Sequence, residues 1–503
     1  MGSNAVGSER ISKVVGYLLA KGDFSESSPN LPQRVGIFAE ANFANQDDLD
    51  LTPKEITSAK QAGDLYGYGS PIYVIMRILR PNTGGGIGGI TTIVYPQAMP
   101  LGATAKVITI TPTGVATANG THIVTIAGRS GLDGGSYAIN IETGDTTGDI
   151  VAKIEDAINN VLGCPFAATS DDYETVATSK WKGLTADGLN ISIDTNGNDL
   201  GITYALVNTA AGAGSPTVTP GLELIQNNWV TEIINSYGVN VSIMAEFEAF
   251  NGIPDPENPT GRFTGIIMKP FIALTGDVSD NSSATTDTKK TQVTIAICPA
   301  PLSAGLPMEA AANYCLLFAR IVQDSPHLDI SGKFLPDMPT PTDIGTMSDY
   351  ENRDSYVKKG NSTVELSSGR YKVTDFVTTY HPDGELPPQF RYCRNLMIDF
   401  NVKFGYHLLE EIHVVDHAIA ANNDVVEVAK VIKPKQWVAI LFNYADDLAR
   451  RSLIAEPSFM QGSLVVGLSQ TNPDRLETSF KYKRTGFARI LATTAEAGFN
   501  FGE

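Results

Sequence analysis

The chain has 503 residues, of which 42% are hydrophobic and 18% charged. That is a globular composition, with room for about two to four cored domains, and it excludes general disorder. A formal net charge of −18 argues against nucleic acid or an anionic membrane surface as the main partner, because both need a basic face. Copies of a chain this acidic repel one another, so any contact between them must be locally complementary.

The N-terminal MGSNAVGSERIS has no apolar core, so no secretory signal is expected. Residues 11–20 (ISKVVGYLLA) read as a strand outside the main body, followed by the loose GDFSESSPNLP. Residues 31–98 read as mixed α/β. Segment 33–40 (QRVGIFAE) is a short apolar strand. Thr52-Pro53-Lys54-Glu55 has the order of a helix start, with Thr as cap, Pro first and Glu three residues on. A turn is expected at 65–70, and Pro71 opens an element ending near Arg80.

At Met99 the composition shifts toward Thr, Gly, Ala and Asn, and the shift lasts to about residue 222. Strands are expected at 107–111, 122–126, 137–142, 190–194 and 202–206. One helix is expected at 149–162, with Ile150, Val151, Ile154, Ala157, Ile158, Val161 and Leu162 on a single stripe and Gly163 ending it. This reads as a β-rich module inserted into another domain and closed by the Gly/Ser/Pro stretch 210–220.

From residue 223 the α/β pattern resumes. A helix is expected at 224–237, carrying Trp229, Ile233, Ile234 and Tyr237 on one side. Buried-type strands are expected at 241–245, 271–274 and 293–298. Segment 307–323 has Met308, Ala311, Ala312, Cys315, Leu316 and Ala319 at helical spacing. This alternation implies a mostly parallel sheet covered by helices. Further on come strands at 364–367 and 370–379, a helix at 389–409, and a helix opened by Pro434 and running to about residue 453.

Segment 475–482 (RLETSFKY) alternates. Leu476, Thr478, Phe480 and Tyr482 face one way, while Glu477, Ser479, Lys481 and Lys483 face the other, which is the pattern of a half-buried strand. FARILATTAEAGFNF (487–501) continues it with strand-prone apolar residues. Strands at both ends of a chain carry unpaired N–H and C=O groups. They can pair within the chain, or with neighbouring subunits by strand addition.

Candidate chemistry is sparse. Gly84, Gly86 and Gly89 match GxGxxG, but a strand by composition follows (90–95) where a phosphate loop needs a helix, so a flexible loop is expected. His413 and His417 are spaced to share a metal if helical, yet they lack the HExxH order and are soon followed by Asn422 and Asn423, so a surface or packing role is expected. His381 and Asp383 lie in a Pro/Gly turn without a nucleophile elbow. Carboxylates such as Asp47 to Asp50 and Asp171-Asp172 lie in polar loops. Cys164, Cys298, Cys315 and Cys393 show no zinc spacing and read as buried free thiols. The longest apolar candidate, 265–274, is broken by Lys269 and Pro270, so no membrane span is expected. No catalytic residue, metal site or cofactor is therefore expected. The basic cluster Lys481, Lys483, Arg484 and Arg489 is notable in so acidic a chain; it reads either as a solvated strand face or, since it sits on a terminal strand that needs a partner, as a complementary contact to an acidic neighbour subunit.

The ordered set of segments resembles the contractile tail-sheath proteins of phages, in particular those of Mu-like phages. The segments are QRVGIFAE (33–40), DLYGYGSPIY (64–73), THIVTIAGRSGLDGGSYAINIETGDTTGDIVAKIEDAINN (121–160) and SPTVTPGLELI (215–225), then LSSGRYKVTDFVTTYHPDGELP (366–387), VIKPKQW (431–437) and TNPDRLETSFKYKRTGFARI (471–490). They span nearly the whole length. Segment 324–343 keeps the family's proline- and arginine-rich pattern only loosely.

The resemblance implies a structural role: six-subunit rings stacked helically around a tail tube, joined by terminal arms that add strands to neighbouring sheets. It implies partners in the tail tube, baseplate and tail terminator or neck proteins, a location in the virion tail after assembly in the host cytoplasm, and no enzyme activity. The domain layout it suggests is an N-terminal arm (1–30), a discontinuous α/β core (31–98 with 223–474, its C-terminal subdomain at about 365–474), an inserted β-rich domain (99–222) and a C-terminal arm (475–503). Val15, Tyr17, Leu19, Phe480, Tyr482, Phe487 and Ile490 are the expected arm residues, with hinges at 22–32 and 470–473. A sheath from a phage-derived injection device, an adhesin-like binding protein and a β-rich hydrolase are the rival readings.

Overall fold

A computed structural model of the chain describes residues 29–385 and 388–497. The expected strand at 11–20, with Val15, Tyr17 and Leu19, lies outside them.

The chain enters on β1 (Arg34–Glu40), turns through β2 (Lys54–Glu55), α1 (Ala59–Tyr66) and α2 (Pro71–Leu79), and returns on β3 (Thr91–Gln97), parallel to β1. The helix expected from Thr52 is instead β2, paired antiparallel to β3 through Lys54 and Glu55. The Thr52 hydroxyl and N–H are both taken by Asp50 at 2.7 and 3.0 Å, which leaves no cap there. Ser58 serves instead, accepting from the Gln61 N–H to start α1.

After β3 the chain leaves the core sheet and makes β4 (Ala105–Thr113), β5 (Gly120–Ile126), β6 (Ala138–Ile141), α3 (Thr147–Asn159), β7 (Phe166–Ser170), β8 (Thr175–Lys182), β9 (Ile191–Asp194) and β10 (Thr203–Ala210). These form two antiparallel sheets, ordered β10-β4-β8-β7 and β9-β5-β6. Ile150, Ile154 and Ile158 of α3, all buried, face them. A Thr146/Asp149 capping box starts α3 two residues before the expected position. Strands β7 and β8 are new. Of their six buried positions only Phe166 and Trp181 are large hydrophobics, the others being Ala168, Thr175, Ala177 and Ser179, so hydrophobic alternation barely marks them.

The chain rejoins the core through α4 (Thr219–Glu223), then β11 (Glu232–Asn235), α5 (Val241–Asn251), β12 (Ile272–Asp277), β13 (Ile295–Pro299) and α6 (Pro307–Asp324). The core sheet is ordered β13-β12-β11-β1-β3-β2, parallel except for β2. Successive residues divide between two cores. Val35, Ile37 and Ala39 of β1 and Ala296 and Cys298 of β13 join the side covered by α2 and α6. Phe38, Ala273, Ile295 and Ile297 join the side covered by α4 and α5. Phe38 stacks on Tyr95 at 4.9 Å and meets Phe247 of α5 edge-on at 5.4 Å. The molecule is therefore a multidomain α/β protein around a helix-covered, mostly parallel sheet.

Two expectations at this point are corrected. Residues 224–237 are a loop and β11, not one helix. All four β11 residues are buried, because the strand lies between β1 and β12 with helices on both faces, and a strand buried on both faces mimics helical spacing. Residues 241–245 are the start of α5, not a strand. The Asn240 side chain accepts from the N–H groups of Ser242 and Ile243, and Ile243, Met244 and Phe247 then fall on one stripe.

Beyond α6, a β14–β15 hairpin (Thr363–Ser367, Arg370–Asp375) leads to α7 (Cys393–His413), α8 (Pro434–Arg450), β16 (Ile454–Ala455), α9 (Pro457–Ser463), β17 (Val465–Leu468), β18 (Leu476–Ser479) and β19 (Lys483–Arg484). Ile398, Val402, Trp437, Leu441, Tyr444 and Leu448 make a separate small core between α7 and α8.

Candidate assembly surface

The terminal segment starts as expected and then departs from expectation. β18 pairs antiparallel with β17, Val465 opposite Ser479 and Leu468 opposite Leu476. Among the described residues no third strand joins either edge. Residues 470–473, expected as a hinge, form the turn of this hairpin, with Arg475 N–H donating to the Asn472 carbonyl at 3.2 Å. Strand geometry then breaks at Phe480. β19 pairs only Arg484 with Ile454 and Lys483 with Ala455. From Thr485 to Ala497 the chain has no helix or strand.

Residues 476–489 are fastened to their own chain. Trp437 Nε1–H donates to Thr478 Oγ1 at 3.1 Å. The Phe480 ring lies 5.5 Å from Tyr406. Asp399, on the face of α7 toward the segment, accepts from the Tyr482 hydroxyl at 2.8 Å and from Arg484 Nε and Nη2 at 2.6 and 2.5 Å. This two-point fork is the strong geometry for a guanidinium and a carboxylate. Burial opposes the Arg484 charge, but Asp399 outweighs it and holds the guanidinium pKa above its ordinary value. Burial, aided by Asp399, raises the Tyr482 phenol well above its usual range. Arg489 pairs with Asp329, donates to Ser331 Oγ at 3.1 Å and lies over the Tyr392 ring at 3.8 Å. Phe487 lies against Arg394 at 5.5 Å.

Of the four cations expected to meet a neighbour, Arg484 and Arg489 are thus committed within the chain. Lys483 makes an exposed pair with Glu456 at 2.6 Å. Lys481 has no ion pair among the described residues. Of the four described arm residues, Phe480, Tyr482 and Phe487 pack on the body, whereas Ile490 is 92% exposed and its neighbour Leu491 85%. Beside β18, Phe400, Tyr406, Phe480 and Tyr482 line an open groove of about 410 Å³. The partners Asp399, Asp329 and Glu456 were not foreseen. They are scattered over 128 residues of sequence, and nothing local distinguishes them from other surface acids.

The remaining candidates do not assemble into a site. Gly84, Gly86 and Gly89 lie between α2 and β3, so the loop runs from helix to strand, the reverse of a phosphate loop. α7 ends at His413, and the chain turns through Asp416 at φ 59° before His417. Hence the two imidazoles do not share a helix face. Among the described residues no group of three or more His, Cys, Asp or Glu is placed to hold a metal. His381 is buried, with Nδ1 2.7 Å from the Thr379 carbonyl, and Asp383 pairs instead with Lys290 at 2.8 Å. All four cysteines are free and buried. No described helix is long and apolar enough to cross a membrane.

The parallel strands follow the spatial order 2-1-3-4-5, for which a ligand crevice is expected at the carboxyl ends of the first and third strands, here β1 and β11. The inserted sheets fill that position. Glu40, the last residue of β1, is buried against Thr185 (Oγ1 to Oε2, 3.4 Å), which in turn accepts from Trp181 Nε1–H at 2.9 Å. Burial pushes the Glu40 carboxyl up to about 8, against the opposing pull of Thr185 and Tyr237. Elsewhere Arg129, in the turn after β5, and Arg77 of α2 bracket Glu309 of α6 (2.8 and 3.4 Å) and Asp337 (3.1 and 2.9 Å). This four-member network ties the inserted sheets to the core.

Fold and surface together define an α/β chain with inserted β-sheets and a terminal segment that is pinned as far as Arg489 and exposed from Ile490 to Ala497. No protein-family model matches the chain, and no curated protein matches it. Among solved structures it is similar to the sheath tail protein of Desulfitobacterium hafniense, at 10% identity and a TM-score of 0.44, over 94% of this chain and 100% of that one. It also shows similarity to the flagellar cap protein FliD of Escherichia coli. The D2-D3 domains match at 20% identity and a TM-score of 0.15 over 23% of this chain and 64% of that one. The D1-D2-D3 domains match at 22% identity and a TM-score of 0.14 over 22% and 35%.

Proposed function

We propose that this chain is a structural subunit of a contractile phage tail sheath, which stacks as hexameric rings around a tail tube and drives that tube through the host envelope on contraction. The observation that carries the reading is the terminal segment. Its first part is locked to the body by Asp399 and Asp329, while Ile490 and Leu491 project uncovered. Nearby, no third strand joins either edge of the two-stranded β17–β18 sheet among the described residues. A free strand-prone tail and an unfilled sheet edge on one molecule are complementary halves of a head-to-tail contact. Such a contact is heterologous and propagates into rings and helices. The ordered sequence segments point the same way.

In this reading the tail is held by a neighbour while the body slides, so the lattice stays connected through a large shear. The extended form is kept by a barrier, and each subunit gains contact energy on repacking. The tail tube, baseplate and terminator proteins are the partners.

Negative-stain electron microscopy of the full chain, compared with a chain ending at Arg489, tests this. That truncation spares every anchor to the chain's own body among the described residues. Rings or tubes from the full chain and their loss in the truncated one are expected. Polymers that survive truncation, or uniform monomers at high concentration across salt conditions, overturn it.

A further inference from the structure

We propose that β10 is a self-pairing edge, which takes the β10 strand of a second copy of this chain in antiparallel register. The sheet β10-β4-β8-β7 has two edges, and the molecule treats them differently. At the β7 edge, the Asn159 side chain of α3 bonds both backbone groups of Ala168: its Nδ2 donates to the carbonyl at 2.8 Å, and its Oδ1 accepts the N–H at 2.9 Å. It stands where a further strand would lie, which blunts the edge. At the β10 edge nothing comparable occurs among the described residues. β10 bonds inward to β4 from Thr203 through Ala210, and no other described strand pairs with its outer side.

The side chains repeat the contrast. Leu206 lies opposite Ile110, on the face whose β4 residues are buried, and is still 37% exposed, because the sheet stops beside it. Val207, on the other face, is 57% exposed. Natural edge strands are usually guarded by Lys, Pro or a bulge that turns the edge away. The sequence TYALVNTA has neither charge nor proline, and its one irregularity falls near the end, between Asn208 and Ala210.

Charge selects the occupant. With a net charge of −18, two copies repel, so they approach most easily where no charges meet. Leu200 to Leu222 contains no charged residue at all. An antiparallel strand edge is also its own complement under a twofold axis, so one uncharged edge suffices for both partners. Pairing would extend the four-stranded sheet to a continuous eight-stranded one and cover Leu206 from the open side.

The test uses the full chain. Because the four native cysteines are buried, a cysteine introduced on the surface reports alone. Under mild oxidation, Val207→Cys is expected to give a covalent dimer on a non-reducing gel, while Thr169→Cys, exposed on the guarded β7 strand, stays monomeric. In sedimentation of the unpolymerised protein, Val207→Lys is expected to weaken dimerisation about tenfold or more, since it sets like charges against each other across the twofold axis, with no change in melting temperature. No cross-link at position 207, equal cross-linking at 207 and 169, or a dimer indifferent to Val207→Lys each overturns the proposal. Truncation after Arg489 is expected to leave this dimer intact, and Val207→Lys to leave polymerisation intact, so this proposal and the tail-mediated contact fail separately.

Discussion

Replacing Asp399 with alanine removes the acceptor shared by Tyr482 and Arg484, and with it the strongest fastening of the terminal segment. The variant loses two charge-assisted bonds from Arg484 and one hydroxyl bond, all within 2.8 Å. It keeps the Trp437–Thr478 bond, the Phe480 ring contact and the Arg489–Asp329 pair. Hydrogen bonds to charged groups are worth roughly 1.5–3 kcal/mol each, and the two to Arg484 form one fork, so about 3 kcal/mol of local stability is at stake. At about 1.4 kcal/mol per tenfold this is close to a hundredfold shift toward the released state. Hydrogen exchange of the amides in 480–486 reads that equilibrium directly. About a hundredfold loss of protection is expected there, with the α5 and α6 amides unchanged. Arg484→Ala should give nearly the same loss, and the double variant little more, since both remove one interaction. Lys483→Ala is the control. Its pair with Glu456 is exposed on both sides, where such contacts are worth about 0.2–1 kcal/mol. Protection within threefold of the unaltered chain in Asp399→Ala, or an equal loss in Lys483→Ala, would refute the assignment of Asp399 as the fastening.

Three further outcomes are expected. Arg129→Ala leaves Glu309, 3% exposed, with only the longer ion pair to Arg77 beside the Leu306 N–H it accepts, and should cost about 3 kcal/mol; an unfolding free energy from urea titration that falls by less than about 1 kcal/mol would show the network to be incidental. Glu40 and Glu232 are each pushed by burial from the ordinary 4.5 up to about 8, so the folded chain holds protons that the unfolded chain releases. These two carboxyls therefore contribute their full stability below about pH 4.5 and lose it as pH rises toward 8. Glu40→Gln, which mimics the protonated acid, should be about 2–4 kcal/mol more stable than the unaltered chain at pH 8 and equal to it near pH 4.5; parallel stability curves across that range would contradict this. Burial raises the thiols of Cys298, Cys315 and Cys393 well above their ordinary value and also lifts Cys164, so a thiol-specific dye should label no cysteine of the native chain and all four after denaturation.

Some of this molecule can be derived from the order of residues alone, because the signals are local. Segment 33–40 becomes β1, since an apolar run bounded by polar residues has no better way to bury both faces. Segment 307–323 becomes α6, since its apolar stripe repeats at helical spacing behind a Pro at the first position. The composition shift near Met99 marks where the chain leaves the core sheet, and period two at 476–479 marks β18. Other features were set by distant parts of the chain. Residues 232–235 are a strand only because β1 and β12 flank them. Residues 241–251 are a helix for a local reason, the Asn240 cap, which the apolar run 241–245 masked. The terminal segment is the sharpest case. Its alternation specifies an extended chain but not what that chain lies against. Arg484 finds Asp399, 85 residues away, and Arg489 finds Asp329, 160 residues away. Ion pairs of this kind have no periodicity and no fixed spacing, so only the tertiary structure decides that the segment is pinned up to Arg489 and exposed from Ile490 to Ala497.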